Sequence, residues 1–403
     1  MKRKILVLMS ALTFATTTGC NSAEISAASN AGVSAILLKD ITGHWAKSSV
    51  ETATQKGYVD GYEDQTFRPE NKVSRAEFIK MVVRALNLPV KGDTSGSKWY
   101  VPFATAAATL GIYKGADFSL DEMNQPMTRM EMARVALRAA DKDYQDPAAI
   151  TNDPSMMYNA TKLGLIQGLS GGQLGEDEVT TRAQSVTIIE RILSVKDGGK
   201  LEVDRAAVGN AELVLKRTNI FTMMPEFFGG KQYSGEEWDV SKLTLETDDG
   251  LWKGSFDQII AIDLANPNDP NKYLLGDMDD LHWYDLKSEK TSPLVKNGYM
   301  DSYVIYFKGH VDYNKDTEIY NDSAKEPGFD LNGFNSTARE LVEHKLTGPA
   351  SLFHKELGDI PAFIMSKLDV KLDNHLRVKM YAPARPPHST YVHTLLGVML
   401  PRK

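Results

Sequence analysis

Cysteine is almost missing: the 403-residue chain has one, Cys20. A lone thiol forms no intramolecular disulfide, so no disulfide framework holds this fold. Positive charge is also short. The chain has 46 Lys and Arg against 53 Asp and Glu, a net charge of −7. That balance argues against nucleic acid as a partner, because phosphate binding wants a basic face. Beyond the first twenty residues no apolar run is long enough to cross a bilayer. There is no phosphate loop. His344 and His354 are spaced too widely for a zinc helix. "DYNKDTEIYNDS" from Asp312 starts like a calcium loop but lacks the sixth-place glycine, and Ser323 stands where a glutamate belongs. "GDMDDLHW", with Asp277, Asp279, Asp280 and His282, reads as an acidic turn. No cofactor and no metal are expected.

The first residues form a leader over 1–20. Lys2, Arg3 and Lys4 make a positive start, and Ile5 to Ala15 is apolar but too short to span a membrane. Without those three cations the net charge is −10. "TTGC" resembles a bacterial lipoprotein processing box, with Thr17 where leucine is usual. Two readings stay open. Either Cys20 is lipidated and tethers the protein to a membrane, or it is discarded with an ordinary secretory peptide. Small polar residues from 21 to 36 read as a linker.

What is present is a repeat. "GYVDGYEDQTFRPENKVSRAEF" from Gly57, "GIYKGADFSLDEMNQPMTRMEM" from Gly111 and "GLIQGLSGGQLGEDEVTTRAQS" from Gly164 share one pattern. A second glycine follows four residues on, at Gly61, Gly115 and Gly168, and an arginine 18 residues on, at Arg75, Arg129 and Arg182. Three units over 37–88, 89–142 and 143–196 follow. Each reads as helix, loop, helix. Ser74 with Glu77, Thr128 with Glu131 and Thr181 with Gln184 are capping boxes for the second helix. Behind them Ile79, Val82 and Leu86, then Ala133, Ala136 and Ala140, then Val186, Ile189 and Leu193, form apolar stripes. One such unit is too small to be stable alone. The expectation is an all-α bundle of three repeats with pseudo-threefold symmetry.

The arginines are unusual, because the positive end of a helix dipole disfavours a cation. Free N–H groups at a helix start plus a guanidinium make an anion site. The competing reading is a surface ion pair, such as Arg75 with Asp64. Trp45 and Trp99 occupy one column, either as core residues or as flat faces for stacking on a sugar ring. The second glycines either serve the turn or allow close approach of a ligand.

"DITGHWAKSSVETATQKGYVDGYEDQTFRPENKVSRAEFIKMVVRAL" closely resembles the S-layer homology domain. The Asp-x-x-x-His-Trp opening, the Gly-Tyr-x-Asp-x-Thr-Phe-Arg-Pro loop and the Ser-Arg-Ala-Glu start carry that resemblance. The second copy keeps Trp99 and "TRME"; the third keeps "TRAQ" but no tryptophan. The resemblance implies a triplet that anchors an exported protein, without covalent bonds, to a peptidoglycan-linked secondary cell wall polysaccharide at a Gram-positive cell surface. In much of the family the ligand is a pyruvylated N-acetylmannosamine, whose carboxylate supplies the anion. Arg75, Arg129, Arg182, Asp40, Trp45 and Trp99 carry over as polymer-binding residues, with Gly61, Gly115 and Gly168 beside them. The first groove is expected to bind best and the third worst.

"KDGGK" over 196–200 marks a boundary. Beyond it "ELVLKR", "DQIIAIDL", "DSYVIYFKGHVDY", "KLDVKL" and "HLRVKMYAP" read as strands, with a hairpin turn near Asp373 and Asn374. "NSTARELVEHKL" reads as a helix. The expectation for 200–403 is a β-rich, sandwich-like domain with one or two helices and an unknown partner. Two functions fit: a binding or structural domain displayed on the wall, which is preferred, or a wall-anchored hydrolase with its catalytic carboxylates in this half.

Overall fold

The computed structural model describes residues 38–146, 148, 152–284, 293–335, 343, 345–368 and 370–400. The leader, Cys20, the linker and most of the helix expected from Asn335 lie outside the described residues.

The first repeat supplies α1 (Lys47–Gln55) and α2 (Arg75–Ala85), the second α3 (Val101–Thr109) and α4 (Arg129–Ala140), the third α5 (Asp153–Lys162) and α6 (Arg182–Lys196). The opening helices α1, α3 and α5 stop where Gly57, Gly111 and Gly164 turn into positive φ of 73°, 69° and 74°. That is a backbone state glycine adopts without steric cost. The second helices α2, α4 and α6 start at the capping boxes. Their inner faces meet in one core, including Phe78, Ile79 and Val82, then Met132, Ala133 and Ala136, then Val186, Ile189 and Ile192. Fully burying each large apolar side chain contributes about 1.5–3 kcal/mol.

Helix packing is not all that joins the repeats. Antiparallel backbone bridges pair Lys72 with Thr181, Ser74 with Pro126, and Thr128 with Val179. The residue before each helix thus closes a strand-like contact with another repeat. The helices also continue past residue 200. α7 (Arg205–Lys216), α8 (Ile220–Met223) and α9 (Pro225–Phe228) precede the sheets. The expectation of a purely all-α, pseudo-threefold first part and a β-rich remainder with one or two helices is therefore corrected. The chain is a mixed fold, with helices from Lys47 to Phe228 and then two antiparallel sheets.

"ELVLKR" belongs to α7, not to a strand. Asp204 caps the helix by accepting from the Ala207 N–H at 3.1 Å, and Val208 and Ala211 bury one face against the repeats. The helical spacing of those two residues outweighs the β-branched content downstream.

The strands are β1 (Lys231–Gln232), β2 (Thr244–Glu246), β3 (Trp252–Asp263), β4 (Leu281–Tyr284), β5 (Ser302–Asn314), β6 (Gly328–Phe334), β7 (Ala350–His354), β8 (Gly358–Ser366), β9 (Leu372–Tyr381) and β10 (Val392–Met399). One sheet has the order β1-β10-β9-β6, the other β2-β3-β5-β8-β7-β4. β3 alternates with period two. Ile259 and Ala261 face a core shared with Val378 and Leu396 of the smaller sheet, while Ile260 and Ile262 face a second core with Trp283 and Leu352. Burial on both faces explains why "QIIAI" reads as a continuous apolar run. The hairpin expected at Asp373 and Asn374 is absent. Both residues lie within β9, which is paired on both edges, to β6 and to β10.

Candidate ligand-binding grooves

The capping boxes are formed. Ser74 Oγ accepts from the Glu77 N–H at 3.2 Å, Thr128 Oγ1 from Glu131 at 3.3 Å and Thr181 Oγ1 from Gln184 at 3.3 Å. The first two helical N–H groups are also used. Arg75 and Ala76 donate to the Gln125 and Met123 carbonyls, Arg129 and Met130 to those of Glu178 and Glu176, and Arg182 and Ala183 to those of Asn71 and Pro69. Repeat one thus docks on repeat two, two on three, and three back on one. The expected free N–H groups at the helix starts are consumed by this closed ring. Backbone donors in a packed junction find partners because leaving one orphaned is costly.

The three arginines follow the same cycle. Arg75 pairs with Glu131 of the second repeat, Nη2 to Oε1 at 2.5 Å, and donates to the Glu122 carbonyl at 3.2 Å. Its pKa is raised, chiefly by the Glu131 hydrogen bond. Arg129 donates to the Leu174 and Gln167 carbonyls of the third repeat at 2.7 and 2.6 Å. Burial lowers its pKa. Arg182 donates to the Phe67 carbonyl of the first repeat at 3.1 Å and lies 3.5 Å from Glu77. The surface partner considered for Arg75, Asp64, binds Arg68 and Thr66 instead.

Each groove is therefore composite. Arg129 shares a cavity of about 200 Å³ with Trp45 of the first repeat and with Gln167, Gly168, Gln184 and Arg191 of the third. Among the described residues no carboxylate lines it. Arg191 was not anticipated from the sequence. Burial and the neighbouring Arg129 charge both lower its pKa. Its Nη2 donates to Gln167 Oε1 at 2.8 Å. Trp45 stands over this groove 63% exposed. Arg182 shares a cavity of about 310 Å³ with Trp99 of the second repeat and with Asp60, Glu77, Lys80 and Arg84 of the first. Here the cations are partly matched, since Arg84 binds Asp60 at 2.7 Å, and Lys80 lies 5.4 Å from the Trp99 ring centroid. Trp45 and Arg75, expected together in a first groove, are not brought together.

Arg75 has a different setting. Position 134, equivalent to Lys80 and Thr187, holds an arginine that pairs with Asp153 at the start of α5. Arg138, equivalent to Arg84 and Arg191, pairs with Asp117 at 2.6 Å, both side chains buried. Glu131 holds Arg75 itself. Every cation of this setting has a carboxylate partner.

The remaining expected residues serve the loops. Asp40 accepts from the Phe67 and Arg68 N–H groups, each at 2.7 Å. A Cβ on Gly61 would meet the Leu38 side chain at 2.6 Å, and one on Gly168 the Gly172 backbone at 2.5 Å, while at Gly115 nothing lies within 4 Å. In the later half Asp312 faces His310 at 3.3 Å and Asp316 accepts from the Glu318 and Ile319 N–H groups.

Residues 37–79 match the S-layer homology domain. An exoglucanase, XynX, of Acetivibrio thermocellus is 29% identical over 177 residues, 39% of this chain and 16% of that protein. A cellulosome-anchoring protein of Acetivibrio thermocellus is 51% identical over 60 residues, 15% of this chain and 13% of that protein. The S-layer protein sap of Bacillus anthracis is 32% identical over 164 residues, 37% of this chain and 20% of that protein. The chain thus spans a fifth or less of the length of each of these relatives.

Proposed function

We propose that residues 37–196 hold an exported protein at the cell surface, without covalent bonds, by binding an anionic secondary cell wall polysaccharide. One observation carries this reading: Arg129 and Arg191 face one groove, with Trp45 above them and, among the described residues, no carboxylate lining it. Two like charges, one buried and one half-buried, raise each other's energy, and an anionic oxygen between them relieves it through charge-assisted, fork-shaped hydrogen bonds. The indole supplies an apolar face for a pyranose ring. A sugar bearing a carboxylate, such as a pyruvyl ketal, satisfies both. The Arg182 groove with Trp99 is a second, weaker site, because Asp60 and Glu77 already offset its cations. Around Arg75 the charge is neutralised from within, and no polymer binds there.

The match at residues 37–79 supports the surface location, as do relatives named as an S-layer protein and a cellulosome-anchoring protein. Residues 1–20 act as a leader, with Cys20 the lipidation point, and 200–403 form the displayed part. That part binds or supports a partner. The exoglucanase relative keeps a wall-anchored hydrolase as the alternative. The carboxyls in this half whose pKa is raised by burial include Glu212 and Asp269. Each is engaged by neighbouring backbone N–H groups, Glu212 by that of Thr222 and Asp269 by that of Asn271. Incubating the full chain with wall glycans and measuring reducing ends separates the two: release of sugars would favour the hydrolase.

The anchoring test is co-sedimentation of the full chain with purified walls that keep the secondary polymer, beside walls stripped of it by acid. Pelleting only with polymer-bearing walls is expected. Equal pelleting with stripped walls would overturn the reading.

A further inference from the structure

The loop that forms one wall of the Arg129 groove is held from outside the repeats. Asp204, just before α7, accepts from the Gly168 N–H at 3.0 Å with one carboxylate oxygen and caps α7 with the other. Two turns on, Asn210 Nδ2 donates to the Gly172 carbonyl at 2.8 Å and lies 3.3 Å from that of Gly171. Gly172 has a φ of +71°, and a Cβ there would meet Ala206 at 2.6 Å, so the loop and α7 are in direct backbone contact. On its inner side the same loop receives Arg129 at the Gln167 carbonyl and Arg191 at the Gln167 side chain.

The equivalent loops are held differently. The first leans on the opening of its own repeat, where Leu38 packs on Gly61 and Asp40 accepts from the Phe67 and Arg68 N–H groups. The second is held within its own repeat, where Asp117 accepts from the Lys114 N–H and pairs with Arg138. The α7 brace is thus specific to the groove whose two guanidiniums, among the described residues, make no ion pair with a carboxylate.

We propose that the segment 204–210, although outside the repeats, is part of the polymer-binding module, and that Asp204 and Asn210 are positioning residues for the Arg129 groove. Without them the Gly168–Gly172 loop is free to move, and the Gln167 carbonyl no longer fixes Arg129 opposite Arg191. This rests on the reading of that groove as a wall-polymer site.

The test uses the full chain and purified anionic wall polysaccharide, titrated calorimetrically. Asp204→Ala is expected to weaken binding about tenfold in the wild-type and Trp99→Ala backgrounds, and to add nothing once Trp45→Ala has disabled the braced groove. Asp204→Asn keeps the helix cap through its one oxygen but sets its Nδ2, a donor, against the Gly168 N–H, so it is expected to lose affinity as Asp204→Ala does while costing less stability. Amide exchange at Gly168 and Gly172 gives a readout that needs no ligand, and Asp204→Ala should speed it by about tenfold or more. Unchanged exchange, or an equal loss of affinity in the Trp45→Ala background, would overturn the proposal. A wild-type chain that binds no polymer while its Asp204→Ala variant exchanges faster would sink the groove reading, and the positioning role with it, but leave the brace standing as structure.

Discussion

The Arg129 and Arg75 settings are built from one sequence pattern and end in opposite states. Both arginines follow a capping threonine or serine, both reach into the next repeat, and both have an arginine nine residues along the partner helix, Arg191 and Arg138. Around Arg129 the hydrogen-bond partners are carbonyls, and Arg191 faces the same cavity, which no carboxylate lines among the described residues. Around Arg75, Glu131, Asp153 and Asp117 match each cation in turn. The repeat thus specifies the scaffold, and the identity of a few side chains contributed by other repeats decides whether a junction is a groove for an anion or a closed ion-pair network.

The largest expected effect lies in the closed junction. Arg75→Ala leaves Glu131 buried without its partner and should cost about 3–5 kcal/mol in urea denaturation. Polymer affinity of the folded fraction should barely change. Unaltered stability would mean the pair is dispensable and the contrast is wrong.

In the open groove the order is reversed. Arg191→Gln should weaken polymer binding about tenfold or more, equivalent to about 1.4 kcal/mol, while costing less stability than Arg75→Ala. Added salt should weaken wild-type binding more steeply than that of the variant, since an anion–guanidinium contact is screened. Next comes Asp153→Ala, which releases Arg134. A gain of a few-fold in affinity at most is expected, with loss of an exposed ion pair worth roughly 0–1 kcal/mol.

The smallest effect belongs to Glu212 of α7, away from both grooves. Burial raises its pKa. A carboxyl whose folded pKa is raised favours folding while protonated, and that contribution is lost as pH rises through the raised value. Glu212→Gln should therefore flatten the decline of melting temperature above the ordinary carboxylate range. A parallel decline in both proteins would show that the carboxyl does not control it.

Much of the repeat half is legible in the chain itself. Spacing gives the units, and local hydrogen bonding fixes the caps, because Ser74 and Glu77 need only each other. The grooves are not legible in this way. Trp45 meets Arg129, and Trp99 meets Arg182, through docking between repeats, which no local pattern encodes. The free N–H groups expected at the helix starts are missing for the same reason: neighbouring loops reach them first. Arg191 carries no signature beyond its place in the third repeat. In the later half β3 and β5 are visible as apolar runs buried on both faces. α7 is hidden, because "ELVL" in its last turns reads as a short apolar strand, and the cap at Asp204 is followed by small residues that give only a thin helical stripe.

The most direct measurement is a titration of the full chain with purified anionic wall polysaccharide, comparing wild type with Trp45→Ala/Arg191→Gln and with Trp99→Ala. If the Arg129 groove is the principal site, the double variant loses most of the affinity and its salt dependence, and Trp99→Ala loses less. If the double variant binds as wild type does, or Trp99→Ala is the more damaging change, the assignment of the wall-polymer site to that groove is contradicted.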